Sequence, residues 1–204
     1  VAFPHLCSVG IVTLTTDFKN DNDIWGLFED LMCPTDTRLS ESHFVQGNGF
    51  IGCRGTLEEG WQDTAAATFE GLYLNGVCVQ EPMTHLDASL GATTQFEQLL
   101  HVPNVKKMQI SIGESEEVIS HERQLDFRTG IVSRQKLLAL PDGKQCLVEF
   151  ERFVSADNPH LMCFKVACLA LSADIIVELK TGCDENYVVN TSVSAIKDQQ
   201  MSVK

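Results

Sequence analysis

The chain has 204 residues, a formal net charge of −13 and eight cysteines. This length allows one domain with a sizeable core, and the negative charge argues against binding to a nucleic-acid backbone or an anionic membrane. No apolar run reaches about eighteen residues, so the sequence predicts no transmembrane helix. The scattered cysteines, without a C-x-x-C pair or a zinc-like histidine spacing, predict reduced thiols, a cytoplasmic location and no bound metal.

The first forty residues predict a lead-in segment with one strand. Residues 9–18 are rich in β-branched side chains, which favour a strand. Residues 24–32 fit either a short helix or an aromatic strand, and Pro34 ends that element. The chain does not begin with Met and has no basic opening segment, so we expect a fragment or a trimmed chain rather than a signal peptide.

Four glycines fall within residues 47–55, GNGFIGCRG. Such density indicates unusual backbone dihedrals or close approach to another group. Asn48 and Gly49 form a strong tight-turn pair, and no Lys-Ser/Thr pair or strand–turn–helix pattern accompanies them. The segment is therefore neither a phosphate-binding loop nor a dinucleotide fingerprint.

Charged and aromatic residues follow the glycines: Arg54, Glu58, Glu59 and Trp61. One interpretation is a rigid turn that presents Arg54 and the two carboxylates to a partner surface or an anionic ligand. The other, which the pattern favours, is a glycine-rich corner of a β-sandwich with a salt-bridged arginine. Trp61 fits the core better than a stacking platform for a sugar ring, although both interpretations stay open.

From residue 106 onward the pattern is β. Apolar and polar residues alternate, and turn signals recur about every ten residues, as in a sandwich. Residues 81–101 are the least regular, and within them 95–100 predict a single helical turn. The predicted strands are 106–112, 117–127, 131–140, 145–155, 160–171 (buried on both faces) and 174–181, with a further one opening at 188–196.

Two groups of charges are candidates for a catalytic role. Glu58 and Glu59 are adjacent, so in regular β structure their side chains diverge and do not form a glycosidase pair. Glu149 and Glu151 share one strand face and Arg152 lies on the other, which predicts solvated charges. The histidines show no metal or triad spacing. We therefore assign no catalytic residue.

Several motifs in order resemble one enzyme family. Residues 44–59, FVQGNGFIGCRGTLEE, are similar to the F-x-x-G-N-G-x-x-G-x-R-G-x-x-E-E segment of glycoside hydrolase family 65. Residues 125–130, LDFRTG, resemble its L-D-x-x-T-G segment, with Arg134 four residues later, and residues 151–155 resemble its E-R-F-V-S strand. The resemblance covers residues 44–186.

The resemblance implies the fold and setting of an N-terminal domain. We expect a large antiparallel super-sandwich over residues 41–204, incomplete at its C-terminal end, and an (α/α)₆ catalytic barrel that this chain lacks. The implied enzymes cleave α-glucosidic bonds of disaccharides with inversion, by phosphorolysis or hydrolysis. No cofactor is expected, and inorganic phosphate is the co-substrate of a phosphorylase.

Within that setting Asn48, Arg54, Glu58, Glu59 and Trp61 are candidates for sugar contact or for the domain interface, and the interface is favoured. The expected partners are the barrel of the same polypeptide, carbohydrate and a second copy in a homodimer. The alternatives are a stand-alone carbohydrate-binding sandwich and a dimerisation module.

Overall fold

The computed structural model describes residues 25–32, 37–59, 70–82, 95–172, 174–183, 188–189 and 201–202. Regular structure in these residues is almost entirely β, which confirms the predicted all-β class. The single helix of the described part, α1, is Thr37–His43. The strands are β1 Gly26–Asp30, β2 Gln46–Gly47, β3 Ile51–Cys53, β4 Leu72–Pro82, β5 Gln95–His101, β6 Met108–Ser111, β7 Glu117–Asp126, β8 Ile131–Ala139, β9 Gln145–Val154, β10 Met162–Ala170, β11 Glu178–Thr181, β12 Val188–Val189 and β13 Met201–Ser202.

The main sheet has five antiparallel strands in the order β1-β7-β8-β9-β10. Strands β7 to β10 follow one another as antiparallel neighbours; tight turns join β7 to β8 and β8 to β9, and a loop joins β9 to β10. Gly130 and Gly143 adopt φ of 70° and 84° in the first two turns, a conformation that glycine reaches without steric cost. β1 adds to the far edge by pairing with β7. Residues 24–32, which fitted a helix or a strand, therefore contain a strand.

The glycine-rich segment builds a hairpin in the second sheet, whose order is β2-β3-β4-β5. Asn48 to Phe50 form the turn between β2 and β3, and Gly49 has φ of 88°. Short pairs β6–β11 and β12–β13 complete the β structure of the described residues.

The core joins these layers. On the main sheet Leu138, Val148 and Phe150 form a buried cluster with Ile112, which follows β6. In the second sheet Ile51 and Cys53 form another cluster, against which Val154 and Met162 of the main sheet pack. Neither sheet closes on itself in the described residues, so the arrangement is a sandwich.

Two predictions about the β elements are wrong. Residues 95–100 do not form a helical turn, because they belong to β5 and pair with β4 along its length. Backbone pairing with a distant strand has overridden the local preference. Residues 160–171 do not form a strand buried on both faces: β10 is the last strand of the main sheet, and only Ala167 within it is buried.

Other predictions differ in extent or lie elsewhere. Strand β11 occupies only the last part of residues 174–181. The predicted strand over residues 9–18, Pro34 and most of the irregular stretch after residue 82 lie outside the described residues. In the described part of the chain, no helix is long and apolar enough to cross a membrane.

Candidate functional site

Residues 55–59, here called the strap, cross one face of the main sheet. Three arginines from three neighbouring strands, Arg123, Arg134 and Arg152, point to that face and are here called the arginine face. Arg123 lies opposite Arg134 in the β7–β8 register, and Arg152 lies opposite Val132 in the β8–β9 register. All three arginines are at most 3% exposed. The sheet therefore brings three cations to one side, beneath the strap.

The arginine face holds the strap by its backbone. Arg123 Nη1 donates to the carbonyl oxygen of Gly55 at 2.6 Å, and Arg152 Nη1 donates to that of Thr56 at 2.8 Å. The amide of Met108 donates to the carbonyl oxygen of Glu58 at 3.0 Å, which ties the strap to β6. A guanidinium carries five N–H donors in a fixed plane, so one arginine can serve several acceptors at once.

The two carboxylates of the strap are bound by the same arginines. Glu58 Oε1 accepts from Arg152 Nη1 and its Oε2 accepts from Arg134 Nη2, both at 2.8 Å. Glu59 Oε1 accepts from Arg134 Nη1 at 2.7 Å, and its Oε2 accepts a short bond from Nη2 of the same arginine. Lys136 Nζ lies 3.6 Å from Glu59 Oε1. Glu58 therefore bridges two strands.

These contacts fix the protonation of both carboxylates. Burial alone would raise the pKa of Glu58, but the charges of Arg134 and Arg152 outweigh it and bring that pKa to about 2. Burial and Arg134 compete at Glu59 in the same way, and its pKa is also lowered. Both groups are therefore anionic at neutral pH, and both oxygens of each already accept hydrogen bonds.

The arginine face is supported by aromatic rings and by β1. Arg123 lies 4.0 Å from the ring centroid of Phe44, and Arg134 lies 3.8 Å from that of Phe150. Arg123 Nε donates to Glu29 at 2.5 Å, and Arg123 Nη2 makes a short bond to Ser40 in α1. Cations over aromatic faces gain electrostatic stabilisation, more so when they are removed from water.

Two further titratable groups lie against the cluster. His121 Nε2 accepts from Arg134 Nη1 at 2.9 Å, and burial together with the charge of Arg134 lowers the pKa of His121 to about 3. Lys106 Nζ binds the Thr56 hydroxyl and the carbonyl oxygen of Arg54, and burial lowers its pKa. His121 is therefore neutral, which suits an acceptor for Arg134.

Arg54 points away from the strap, toward α1. Its Nη2 donates to Ser42 Oγ at 3.2 Å and to the carbonyl oxygen of Arg38 at 3.3 Å, and it lies 3.5 Å from Glu41 Oε2. The structure thus separates Arg54 from Glu58 and Glu59, although the sequence places the three close together.

Asn48 has a local structural role. Its Oδ1 accepts from the amides of Phe50 and Ile51, and its Nδ2 donates to the carbonyl oxygens of Ser155 and Pro159. The side chain therefore closes the β2–β3 turn and links it to the loop after β9. Trp61 lies outside the described residues. Sugar or interface contact by any of the five predicted site residues stays a prediction.

The prediction that Glu149 and Arg152 are solvated is wrong, because they are 1% and 3% exposed. Arg152 does lie on the opposite strand face from Glu149, as expected, but that face also carries Val148 and Phe150, so it is the inward one. A signal was present in the sequence: an arginine in phase with apolar core residues predicts a buried ion pair. The same phase marks Arg134 on β8, between Val132 and Leu138.

The adjacent residues Glu58 and Glu59 were expected to diverge only in regular β structure. They lie in a turn, and both carboxylates reach Arg134. No pattern in the sequence marked Arg123, Lys106 or His121 as members of the cluster. Across the described ranges, no group of three or more His, Cys, Asp or Glu side chains could hold a metal ion. The described cysteines with free thiols are Cys53, Cys78, Cys146, Cys163, Cys168 and Cys183.

Fold and strap together define an all-β sandwich domain organised around a buried ionic cluster. The chain belongs to the family described as "Glycosyl hydrolase family 65, N-terminal domain", whose model matches residues 27–203. The match includes the strap, the arginine face and every described strand from β2 to β13. The predicted family is thereby confirmed.

Similar proteins include named phosphorylases. The kojibiose phosphorylase of Escherichia coli (strain K12) is 32% identical over 161 residues, which are 72% of this chain and 20% of that protein. The α,α-trehalose phosphorylase of Thermoanaerobacter brockii is 29% identical over 128 residues, 60% of this chain and 16% of that protein.

A solved structure provisionally assigned as a kojibiose phosphorylase from the human microbiome has the same fold. Its TM-score is 0.68 at 19% identity, and the match covers 80% of this chain and 22% of that one. The chain therefore spans about a fifth of the length of the relatives that it matches.

Proposed function

We propose that this chain is the supporting domain of an inverting glycoside phosphorylase or hydrolase that acts on α-glucosidic disaccharides. The observation that carries the proposal is the state of Glu58 and Glu59. A catalytic acid needs a proton and a pKa near the working pH, and a catalytic base needs a free oxygen. Glu58 has neither property, since its pKa is about 2 and both of its oxygens accept from arginines.

The proposed role is mechanical. Four of the five strap residues, all except Leu57, bind strands β6 to β9 through hydrogen bonds, so this part of the family motif is fixed relative to the main sheet. We propose that such a rigid sandwich docks an (α/α)₆ catalytic barrel of the same polypeptide and shapes the edge of its cleft. The relatives' greater length and the family match support this. Inorganic phosphate as co-substrate, contact with carbohydrate and a homodimer belong to the same proposal.

The first experiment assays the protein at its full natural length with kojibiose, trehalose and maltose, with and without inorganic phosphate. A phosphorylase releases β-glucose 1-phosphate only when phosphate is present, whereas a hydrolase releases glucose in both conditions. Absence of turnover of all three sugars would contradict the proposed substrate class.

A second experiment tests the supporting role of the strap. We compare Glu59→Gln with the matched control Glu151→Gln, whose carboxylate contacts Lys165 at 3.1 Å on the other sheet face. At temperatures below the unfolding transition, we expect kcat of both variants to stay within a few-fold of the wild-type value. A loss of about 10²–10⁴-fold in Glu59→Gln alone, with the fold intact, would instead give Glu59 an acid–base role.

A further inference from the structure

A small cavity lies between the strap and the arginine face. Its volume is about 10 Å³, and its wall includes Glu58, Arg123, Arg134, Arg152, Val132 and Phe150. A cavity of this volume has room for one water molecule or for one monatomic ion of similar size. It is far too small for a sugar, since small-molecule sites usually measure about 300 Å³ or more.

Arg134, one of the residues that line the cavity, carries a donor that needs an acceptor. Arg134 Nε is buried and makes no hydrogen bond within the part of the chain that the structure describes. A buried N–H without an acceptor is destabilising, since it has lost its hydration. The other nitrogens of Arg134 are bound to Glu58, Glu59 and His121.

Among the described residues around the cavity, the charges in direct ion pairs do not cancel. Four cations face three carboxylates, which leaves one positive charge in excess. The cations are Arg123, Arg134, Arg152 and Lys136, and the carboxylates are Glu29, Glu58 and Glu59. Lys106 is buried near both Glu58 and Glu70, and burial lowers its pKa.

A surplus of buried positive charge favours an anion over water. A water molecule can donate to Glu58, each of whose oxygens keeps a second lone pair beside its bond to an arginine, but water carries no charge. It therefore leaves the extra charge uncompensated, which is costly away from solvent. A monatomic anion accepts hydrogen bonds without donating any. The net charge of −13 acts over longer distances and is screened by salt.

We propose that this cavity binds one monovalent, monatomic anion of the halide class, held by the arginine face beneath the strap. The bound anion accepts from Arg134 Nε and neutralises the cluster, so it fastens the strap to β7, β8 and β9. The inference concerns the cavity alone and does not depend on the catalytic setting proposed above.

The direct test is a crystal structure of the full-length protein grown in potassium bromide, because bromide is located by its anomalous scattering. We expect an anomalous peak in the cavity, within hydrogen-bond reach of Arg134 Nε. A peak of ordinary solvent density without anomalous signal would identify water and overturn the proposal, as would bromide bound only elsewhere.

The second test compares unfolding temperatures in potassium chloride and potassium gluconate at equal ionic strength. At a chloride concentration of about ten times Kd, we expect the midpoint temperature of unfolding to be roughly 2–5 °C higher than in gluconate. Val132→Ile adds a methylene at the cavity wall without changing charge, so it should remove the difference.

Val102→Ile is the matched control, because Val102 packs against the Ile51 cluster of the second sheet, no member of which lines the cavity. It should keep the difference between chloride and gluconate. Equal midpoints of the wild-type protein in the two salts would overturn the proposal. If Val132→Ile does not fold, the bromide structure decides.

Discussion

Glu58 Oε2 accepts a hydrogen bond from Arg134 Nη2 at 2.8 Å, across a separation of 76 residues. Its other oxygen accepts from Arg152, 94 residues away. One carboxylate therefore ties the strap to two adjacent strands of the main sheet. Glu58 is 5% exposed, so its removal leaves two buried guanidinium groups with fewer compensating charges.

Glu58→Gln should destabilise the protein strongly. Removing one partner of a buried ion pair costs about 3–5 kcal/mol, because the remaining charge stays buried and uncompensated. The measurement is the free energy of unfolding in urea at neutral pH. Glu151→Gln is the control, since its ion pair with Lys165 is partly exposed and such pairs contribute about 0–1 kcal/mol. Equal losses of unfolding free energy in the two variants would show that the contacts of Glu58 contribute no more to stability than a partly exposed ion pair does.

Acid should destabilise the fold through His121. The pKa of His121 is about 3 in the folded protein and 6.5 as its ordinary value, so the unfolded chain takes up the proton first. The stabilisation is complete above about pH 6.5 and is lost as the pH falls toward 3. The free energy of unfolding should fall by at most about 1.4 kcal/mol per pH unit from this group.

His121→Gln keeps an acceptor for Arg134 but does not titrate. Unfolding measured in urea at several values between pH 6.5 and 4.5 should therefore give a flatter pH dependence than wild type. His43→Gln, at the exposed C-terminal end of α1, serves as the control and should keep the wild-type slope. Identical slopes in all three proteins would assign the acid sensitivity to other groups.

Gly55→Ala should be poorly tolerated. A Cβ at this position would lie 2.7 Å from Phe44 Cβ and 2.8 Å from the carbonyl oxygen of Glu41, and neither atom can move freely. Overpacking of this kind costs about 1–3 kcal/mol. In Gly52→Ala the added Cβ meets nothing within 4 Å, so its free energy of unfolding should change by no more than about 0.5 kcal/mol. Thermal and urea denaturation of both variants provide the comparison, and similar losses would contradict the close approach at Gly55.

Asn48→Asp should loosen the contact between the β2–β3 turn and the loop after β9. The aspartate keeps the acceptor for the amides of Phe50 and Ile51 but loses the donor to Ser155 and Pro159. Leaving these carbonyl oxygens without their partner should cost about 1–3 kcal/mol. The measurement is the free energy of unfolding at neutral pH.

Asn158→Asp is the control for that substitution. Asn158 Oδ1 accepts from the amide of His160 at 3.1 Å, and an aspartate keeps this contact. We expect a change below about 0.5 kcal/mol. A loss as large as that of Asn48→Asp would point to the added charge rather than to the missing donor.

The sequence by itself determined the β class, most strands after residue 106 and the hairpin turns. These features are local: alternation over a few residues sets a strand face, and glycine at residues 49, 130 and 143 permits positive φ. The resemblance to the family was likewise carried by short motifs in order. Residues 95–100 form a strand instead of the predicted helical turn, because β4, which lies outside this segment, supplies their hydrogen-bond partners.

Only the tertiary structure decided which charges are buried and what they bind. Arg54, Glu58 and Glu59 are neighbours in sequence, yet Arg54 turns to α1 while the two carboxylates reach Arg134. Ion pairs across 75 residues or more depend on the register of four strands and on the path of the strap, which no local pattern encodes. The strand phase of Arg152 held a signal for an inward side chain, yet we predicted a solvated charge, and its partner became visible only once the sheet was assembled.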